Sequence, residues 1–548
     1  MATDVNAPSG RDKDVWRQLR ANPYILGLSA FASLGGFLFG YDQGVVSGVL
    51  TMENFAAHFP RVYLDAGYKG WFVSTLLLLA WLGSLVNGPI SDNLGRKGSM
   101  LLAVVVFTLG AALQAGGANI ETIFAGRAVA GFAVGMLTMV VPQYMFRGTL
   151  VVLQQLSITL GILVSYWLDT SAATAAPPDI PYSGGTPEKR TFDPLHDVGP
   201  DGCTGQSQAA WRVPFAVQII PALVLGIGML FFPESPRYFL MRRREDKALA
   251  ALAQLRRCHP DTEWLRHEYL AVKSEVLFDE SIARDRYPGR SGVALYVAQY
   301  ADLVSTWPSF KRLAIGCCIM FFQQFIGCNA IIYYAPQIFS QLGLSGGTTG
   351  LLATGVYGIV NTLSTLPALF LIDKVGRRPL LMCGAAGTCL SLVVVGGILG
   401  GYGDALPAHP AAGWAGVAFV YIYDVNFSYS FAPIGWVLPS EIFNLGNRSK
   451  AMAVTTSTTW MCNFVIGLVT PDMLDRIGWG TYIFFAAFAL LALAFTLEDM
   501  DVVFGDAAAH EEKARLFEMA ARVGLVDRVP EEKVEAARVG AVEVERRG

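Results

Sequence analysis

The chain has 548 residues, 53% of them hydrophobic and only 16% charged, with a formal net charge of -3. Ordinary soluble domains carry about 25% charged residues, so the composition points to lipid, and the slightly acidic balance argues against nucleic acid as a partner. The eight cysteines (Cys203, Cys258, Cys317, Cys318, Cys328, Cys383, Cys389 and Cys462) show no CxxC or His-rich spacing, so neither a metal site nor a disulfide framework is expected.

A transmembrane helix needs about 20 mostly apolar residues. Runs of that kind stand at 24–50, 71–90, 98–116, 120–144, 149–168, 213–232, 313–335, 350–372, 379–401, 414–438, 451–470 and 480–495, twelve in all. Residues 1–23 before them are polar and charged. The first run is too long for the core of a signal peptide and is expected to serve as its own insertion signal. It carries an acid, Asp42, after Gly36-Phe37-Leu38-Phe39-Gly40-Tyr41. Between the second and third runs stands Asp92-Asn93-Leu94-Gly95-Arg96-Lys97. The fourth run holds Arg127 and the fifth Gln154 and Gln155. Residues 169–212 are rich in Pro, Gly, Asp and Thr and read as an outside loop. Residues 233–312 are highly charged, with amphipathic patterns at Glu245–Arg257 and Asp261–Glu280, and read as a cytosolic helical linker. The seventh run contains Phe321-Phe322-Gln323-Gln324-Phe325-Ile326-Gly327-Cys328-Asn329-Ala330-Ile331-Ile332-Tyr333-Tyr334. Asn361 lies in the eighth run. The small charged turn then recurs as Asp373-Lys374-Val375-Gly376-Arg377-Arg378. Asp424 and Trp436 lie in the tenth run, and Trp460 and Asn463 in the eleventh. The twelfth is short for a span, and the tail 501–548 is charged.

One phrase written twice, half a chain apart, implies two related halves in one membrane. The expectation is an all-α polytopic protein of twelve spans, with six-helix bundles at 24–232 and 313–500 joined by 233–312. Lys and Arg gather in the connections that share a side with both termini, which puts the termini in the cytoplasm. The repeated turn then reads as a latch: its cations cannot enter lipid, and Asp92 and Asp373 can pair with them or cap a neighbouring helix. The amides of Gln155, Gln323, Gln324, Asn329 and Asn361 are costly in lipid unless paired. An amide both donates and accepts, as a hydroxyl does, so these side chains suit an uncharged polyhydroxylated solute, with Trp436 and Trp460 as flat walls for ring faces. Asp42 and Arg127, charges at membrane depth, are expected to partner each other. A step that parts them lets the aspartate take a proton, which is a route to proton coupling. No nucleophile–base pair and no phosphate-cradling loop is present, so neither catalysis nor a cofactor is expected.

These residues carry a resemblance. The stretch 24–500 resembles the sugar porters of the major facilitator superfamily, in particular fungal monosaccharide transporters. The matching pieces are GFLFGYDQGVVSG, the two D-x-x-G-R-K/R turns, Gly126-Arg127, Pro233-Glu234-Ser235-Pro236-Arg237, QQFIGCNAIIYY, and Pro439-Ser440-Glu441 with Arg448. The resemblance implies the major facilitator fold and alternating-access transport of a hexose or pentose across a plasma membrane with a proton as partner. It implies sugar contacts at Gln155, Gln323, Gln324 and Asn329, with Tyr333, Asn361 and Trp436 as lining. Before Trp460 stands Thr459, where many relatives carry an amide. Asp42 matches proton-coupled members, with Arg127 beside it. The cytoplasmic gate falls on Asp92, Arg96, Lys97, Asp373, Arg377, Arg378, Glu441 and Arg448. A facilitative uniporter, a polyol or quinate porter and a non-transporting sugar receptor are the alternatives; oligomeric state is left open. In two places the chain departs. Only Met145 and Phe146 separate Tyr144 from Arg147, where the family has a longer segment with a glutamate and a proline, and the twelfth run lacks the family's continuation. Both departures are expected to weaken folding or transport.

Overall fold

A computed structural model describes residues 23–144, 148–173, 184–186, 189–197, 206–290, 292–344, 347–443, 448–498 and 519–524. Wherever the sequence is apolar the chain is helical, because a backbone in lipid can satisfy its N–H and C=O groups only internally. The first run is α1 (Pro23–Ala32) and α2 (Leu34–Val49), broken at Ser33, whose hydroxyl donates to the Ser29 carbonyl at 2.7 Å. The short α3 (Glu53–His58) and α4 (Pro60–Leu64) lead into α5 (Ala66–Gly116), which takes in the second and third runs with the turn inside it. Then come α6 (Ile120–Tyr144) and α7 (Gly148–Ala173). An antiparallel ribbon of β1 (Gly184–Thr186) and β2 (Lys189–Thr191) lies in the expected outside loop, a small exception to an otherwise helical chain. The sixth run is α8 (Ala209–Val217) and α9 (Ile219–Phe231).

The charged connection is helical too: α10 (Pro236–Met241), α11 (Glu245–Arg256), α12 (Glu263–Arg286) and α13 (Gly292–Asp302). Leu240, Ala248 and Val276 form one small apolar core there, and Leu252, Ala253 and Leu265 another. The seventh run was read as one helix but is two, α14 (Trp307–Phe325) and α15 (Cys328–Gln341), interrupted at Ile326-Gly327, where Gly327 has φ 98°. The spacing of Gln323, Gln324 and Asn329 is therefore set by a helix break rather than by helical period. Next stand α16 (Gly347–Thr365), α17 (Ala368–Val375) and α18 (Arg377–Tyr402). The tenth run is α19 (Pro410–Tyr429) and α20 (Phe431–Ile442), followed by α21 (Arg448–Arg476) and α22 (Gly480–Glu498). The last helix has 19 residues, three more than the sequence suggested, and at about 1.5 Å per residue it reaches about 28 Å.

Among the described residues, seven helices are long and apolar enough to cross a membrane. The protein is multi-pass. In α5 the turn glycine Gly95 has φ 84° and ψ 167°, and between α17 and α18 Gly376 has φ 90° and ψ 166°. These are nearly the same angles, in a region open essentially to glycine alone, so the repeated phrase also folds the same way twice. Among the described residues, a Cβ on Gly376 would meet Pro379 at 4.0 Å and nothing nearer, whereas one on Gly95 would run into the Glu234 carboxyl. Gly376→Ala is thus expected to cost about 1–3 kcal/mol of backbone strain, and Gly95→Ala more than that. Thermal unfolding of the detergent-purified variants checks the order; equal midpoints would contradict it.

The helices before and after the charged connection meet along α5 and α21, α7 and α16, and α2 and α15. Away from the Gly-Arg turns the seam is tight. The Tyr166 hydroxyl donates to the Ile332 carbonyl at 2.7 Å, and the Thr170 hydroxyl to the Leu351 carbonyl at 3.3 Å.

Candidate binding cavity and gate

Two helix breaks build the site. Gly327 splits α14 from α15, and Ser430 separates α19 from α20. Gln323 reaches the start of α20: its Nε2 donates to the carbonyls of Phe431 at 2.9 Å and Ala432 at 3.2 Å. From there an amide chain runs across the molecule. Gln324 Nε2 donates to Gln323 Oε1 at 3.5 Å, and Asn329 Nδ2 donates to Gln324 Oε1. Gln43, on α2 of the first half, donates from Nε2 to Asn329 Oδ1 at 3.4 Å and to the Tyr333 hydroxyl at 3.0 Å. Tyr333 in turn donates to Asn463 Oδ1 at 3.3 Å.

This chain borders a cavity of about 60 Å³ between the two sets of helices. Of the residues singled out in the sequence, Gln155, Gln323, Gln324, Asn329, Asn361, Trp436 and Trp460 line it. Tyr333 stands behind the wall, bonded to Gln43 and Asn463. The lining also includes Asn463, noted above for its amide, and Gln43, Phe39, Thr159 and Thr459. Gln43 follows Asp42 in the quoted motif, and its signal in the sequence is an uncharged amide inside an apolar run. Among the described residues, no charged side chain lines the cavity. The Trp460 ring is buried edge-on to Phe39 at 4.9 Å, and its Nε1 has no partner among the described residues. Removing Gln43 deletes two bonds of the chain, each worth about 1 kcal/mol. Gln43→Ala should therefore raise the half-saturation concentration for a bound solute by up to about thirtyfold, read from binding or uptake isotherms; an unchanged value would remove Gln43 from the site.

Asp42 and Arg127 are both buried, 1% and 2% exposed, but they do not form the direct ion pair expected of them. Arg127 Nε donates to the Phe72 carbonyl at 2.7 Å and Nη2 to the Val73 carbonyl at 3.0 Å, with the guanidinium over the Phe72 ring. Its Nη1 and both Asp42 carboxyl oxygens are without hydrogen-bond partners among the described residues. The charges still act on each other through space. Two further buried acids appear, Asp169 on α7 and Asp424 on α19. The sequence reading had set Asp169 at the edge of a loop.

At the end that carries the Gly-Arg turns, the expected pairing of Asp92 with its own turn is replaced by contacts across the seam. Asp92 Oδ2 accepts from the Tyr296 hydroxyl at 2.6 Å and lies 3.7 Å from Lys450 Nζ on α21; Lys450 also sits over the Tyr296 ring. Burial, then the Asp92 carboxylate, push the Tyr296 phenol well up, so it stays a donor. The acid of the first turn is Glu234, whose Oε1 accepts from the backbone N–H groups of Arg96 at 3.1 Å and Lys97 at 3.2 Å. Lys97 Nζ donates to the carbonyls of Leu230, in the last turn of α9, and Phe232, just beyond it, both at 2.8 Å, where a helix end welcomes a cation. Arg96 is buried and reaches Met241. In the second copy Arg377 Nη1 donates to the Ile372 carbonyl at 3.1 Å, and Arg378 is half-buried. The side chains of Asp373, Glu441 and Arg448, and the junction at 145–147, lie outside the described residues.

Broken helices closed around a polar, uncharged cavity, with a doubled Gly-Arg turn at one end, define a membrane carrier of the major facilitator type. Residues 28–500 match the family profile described as "Sugar (and other) transporter", and the chain belongs to that family. It is 30% identical over 509 residues to the MFS glucose transporter mfs1 of Aspergillus flavus, covering 87% of this chain and 89% of that one. It is 29% identical over 517 residues to the quinate permease of Emericella nidulans, covering 90% and 88%. The fold is that of the proton:xylose symporter XylE bound to 6-bromo-6-deoxy-D-glucose, with a TM-score of 0.68 at 24% identity over 87% of this chain and 96% of that one.

Proposed function

We propose that the chain carries a neutral monosaccharide, a hexose or pentose, across a plasma membrane by alternating access, and that a proton moves with it. The observation that carries this reading is the cavity itself: amides from both sides of the seam, two tryptophans, and no charge. A relative named for quinate transport is as similar as one named for glucose. Quinate is an anion, and a site for it needs a cation that this wall does not offer, so the neutral solute is favoured. In this reading the twelve apolar runs all cross the membrane, 24–232 and 313–500 move as two units, and both termini with the Gly-Arg turns are cytoplasmic. Asp42 and Arg127 supply the drive. They stand parted in this conformation, and a rotation that brings Arg127 off the Phe72 and Val73 carbonyls would pair them.

The test is uptake of labelled glucose, xylose and quinate in a host lacking its own sugar carriers, with and without a protonophore. Saturable sugar uptake that quinate does not compete with, and that stops accumulating when protonophore is added, is the expected result. Quinate uptake without sugar uptake would overturn the neutral-substrate reading.

A further inference from the structure

Asp424 is wholly buried on α19, and the transport scheme above leaves it without a task. It sits one layer behind the cavity. Its Oδ1 accepts from Asn361 Nδ2 at 2.8 Å and from the Ser428 hydroxyl at 3.5 Å; Asn361 is the cavity-lining residue of α16. A side-chain amide has two faces, an NH2 that donates and an oxygen that accepts, and the residue alone does not decide which one it offers. An ionised carboxylate accepts only, and the neutral acid still keeps a carbonyl oxygen for the same bond. Asp424 therefore holds the NH2 face of Asn361 and leaves the other free, and Asn361 Oδ1 is buried with no partner among the described residues.

We infer that Asp424 is a positioning residue that fixes the Asn361 amide with its oxygen toward the cavity, so that this wall accepts a hydrogen bond from one hydroxyl of the sugar. The inference rests on the sugar-carrier reading and gives it a polarity. Elsewhere in the lining, the Trp460 Nε1, unpartnered among the described residues, has the opposite character, a donor. The bound hydroxyls are then sorted by role: the one facing Asn361 must donate, and the one facing Trp460 must accept. An empty acceptor also explains why a half-satisfied amide persists in a buried site, since an unmade bond there is costly until a ligand makes it.

Fluorinated sugars read this polarity, because a C–F group is a weak acceptor and cannot donate, while a deoxy position does neither. Uptake competition with glucose analogues deoxygenated or fluorinated at each ring position would be measured on the wild-type protein and on Asn361→Ala. At the position facing Asn361, both replacements should raise the half-inhibition concentration equally, by about tenfold, and Asn361→Ala should erase that penalty for both. A fluoro analogue tolerated there while the deoxy analogue is rejected would make Asn361 a donor and overturn the inference. Asp424→Asn extends the test: its own amide lets Asn361 turn, so fluoro and deoxy penalties should separate, with the half-saturation constant changing and the maximal rate staying within about threefold. In an Asn361→Ala background, Asp424→Asn should add nothing. A loss of maximal rate that is the same with and without Asn361 would mean that Asp424 acts elsewhere. Absence of any saturable sugar uptake in the wild type would overturn both this inference and the reading beneath it.

Discussion

Asp42→Asn should abolish concentrative uptake while leaving exchange of sugar across the membrane. At a membrane potential of about 100 mV, each proton that enters carries about 2.3 kcal/mol. That sustains about a fiftyfold accumulation of a neutral solute. Asparagine keeps the volume and polarity of the side chain but can neither hold the charge that attracts Arg127 nor take up the proton. The accumulation ratio should therefore fall to about one, whereas efflux of preloaded label into unlabelled sugar should continue, because no residue of the amide chain has been altered. The geometry sharpens the expectation. Arg127 is anchored on two backbone carbonyls and Asp42 has no hydrogen-bond donor among the described residues, which is the parted state that the proposed coupling requires. Arg127→Ala tests the other arm: it removes the two bonds that the guanidinium donates to the Phe72 and Val73 carbonyls and should cost both stability and coupling. Undiminished accumulation by Asp42→Asn, at equal surface expression, would end the role given to that residue.

Much of this was legible in the sequence for a simple reason. Lipid makes spans long and apolar, so an amide inside one stands out, and the cavity gathers all five amides expected to meet the solute together with both tryptophans. What was not legible were contacts between elements far apart in the chain. Nothing near Asp92 says that its partners are Tyr296 and Lys450, some 200 and more residues on. Glu234 was quoted as part of a motif, yet its bond to the N–H groups of Arg96 and Lys97 depends on α9 ending beside the turn. The Asp42–Arg127 pairing went astray because opposite charges were matched by sign, while Arg127 had nearer acceptors in the Phe72 and Val73 carbonyls. Asp424 had no reading because its meaning lies in which face of Asn361 it occupies.

The largest expected effect at the other end of the molecule comes from the Asp92 latch. Asp92 belongs to α5, Tyr296 to the charged connection and Lys450 to α21, so one carboxylate ties the two halves and the linker together. The Asp92 and Lys450 side chains are 29% and 14% exposed, which shields the pair from much of the screening that makes surface ion pairs weak. If this end is cytoplasmic, the latch holds the inside closed, and releasing it shifts the carrier toward inward-open states. Losing an ion pair and a charged hydrogen bond of about 1–2 kcal/mol together changes that equilibrium about five- to thirtyfold. A site facing outward for a smaller fraction of the time binds external sugar correspondingly less well. Asp92→Ala and Lys450→Ala should each raise the half-saturation concentration for external sugar several-fold. Tyr296→Phe should do so by less, since the ion pair survives. The double variant Asp92→Ala with Lys450→Ala should be no worse than the stronger single one, and the exchange Asp92→Lys with Lys450→Asp should recover part of the loss. Because the cavity is untouched, affinity measured on the detergent-solubilised protein, where both faces are accessible, should change far less than external half-saturation in cells. Additive losses in the double variant, or an equal fall in both affinities, would mean that the two residues act separately and that Asp92 is not a gate.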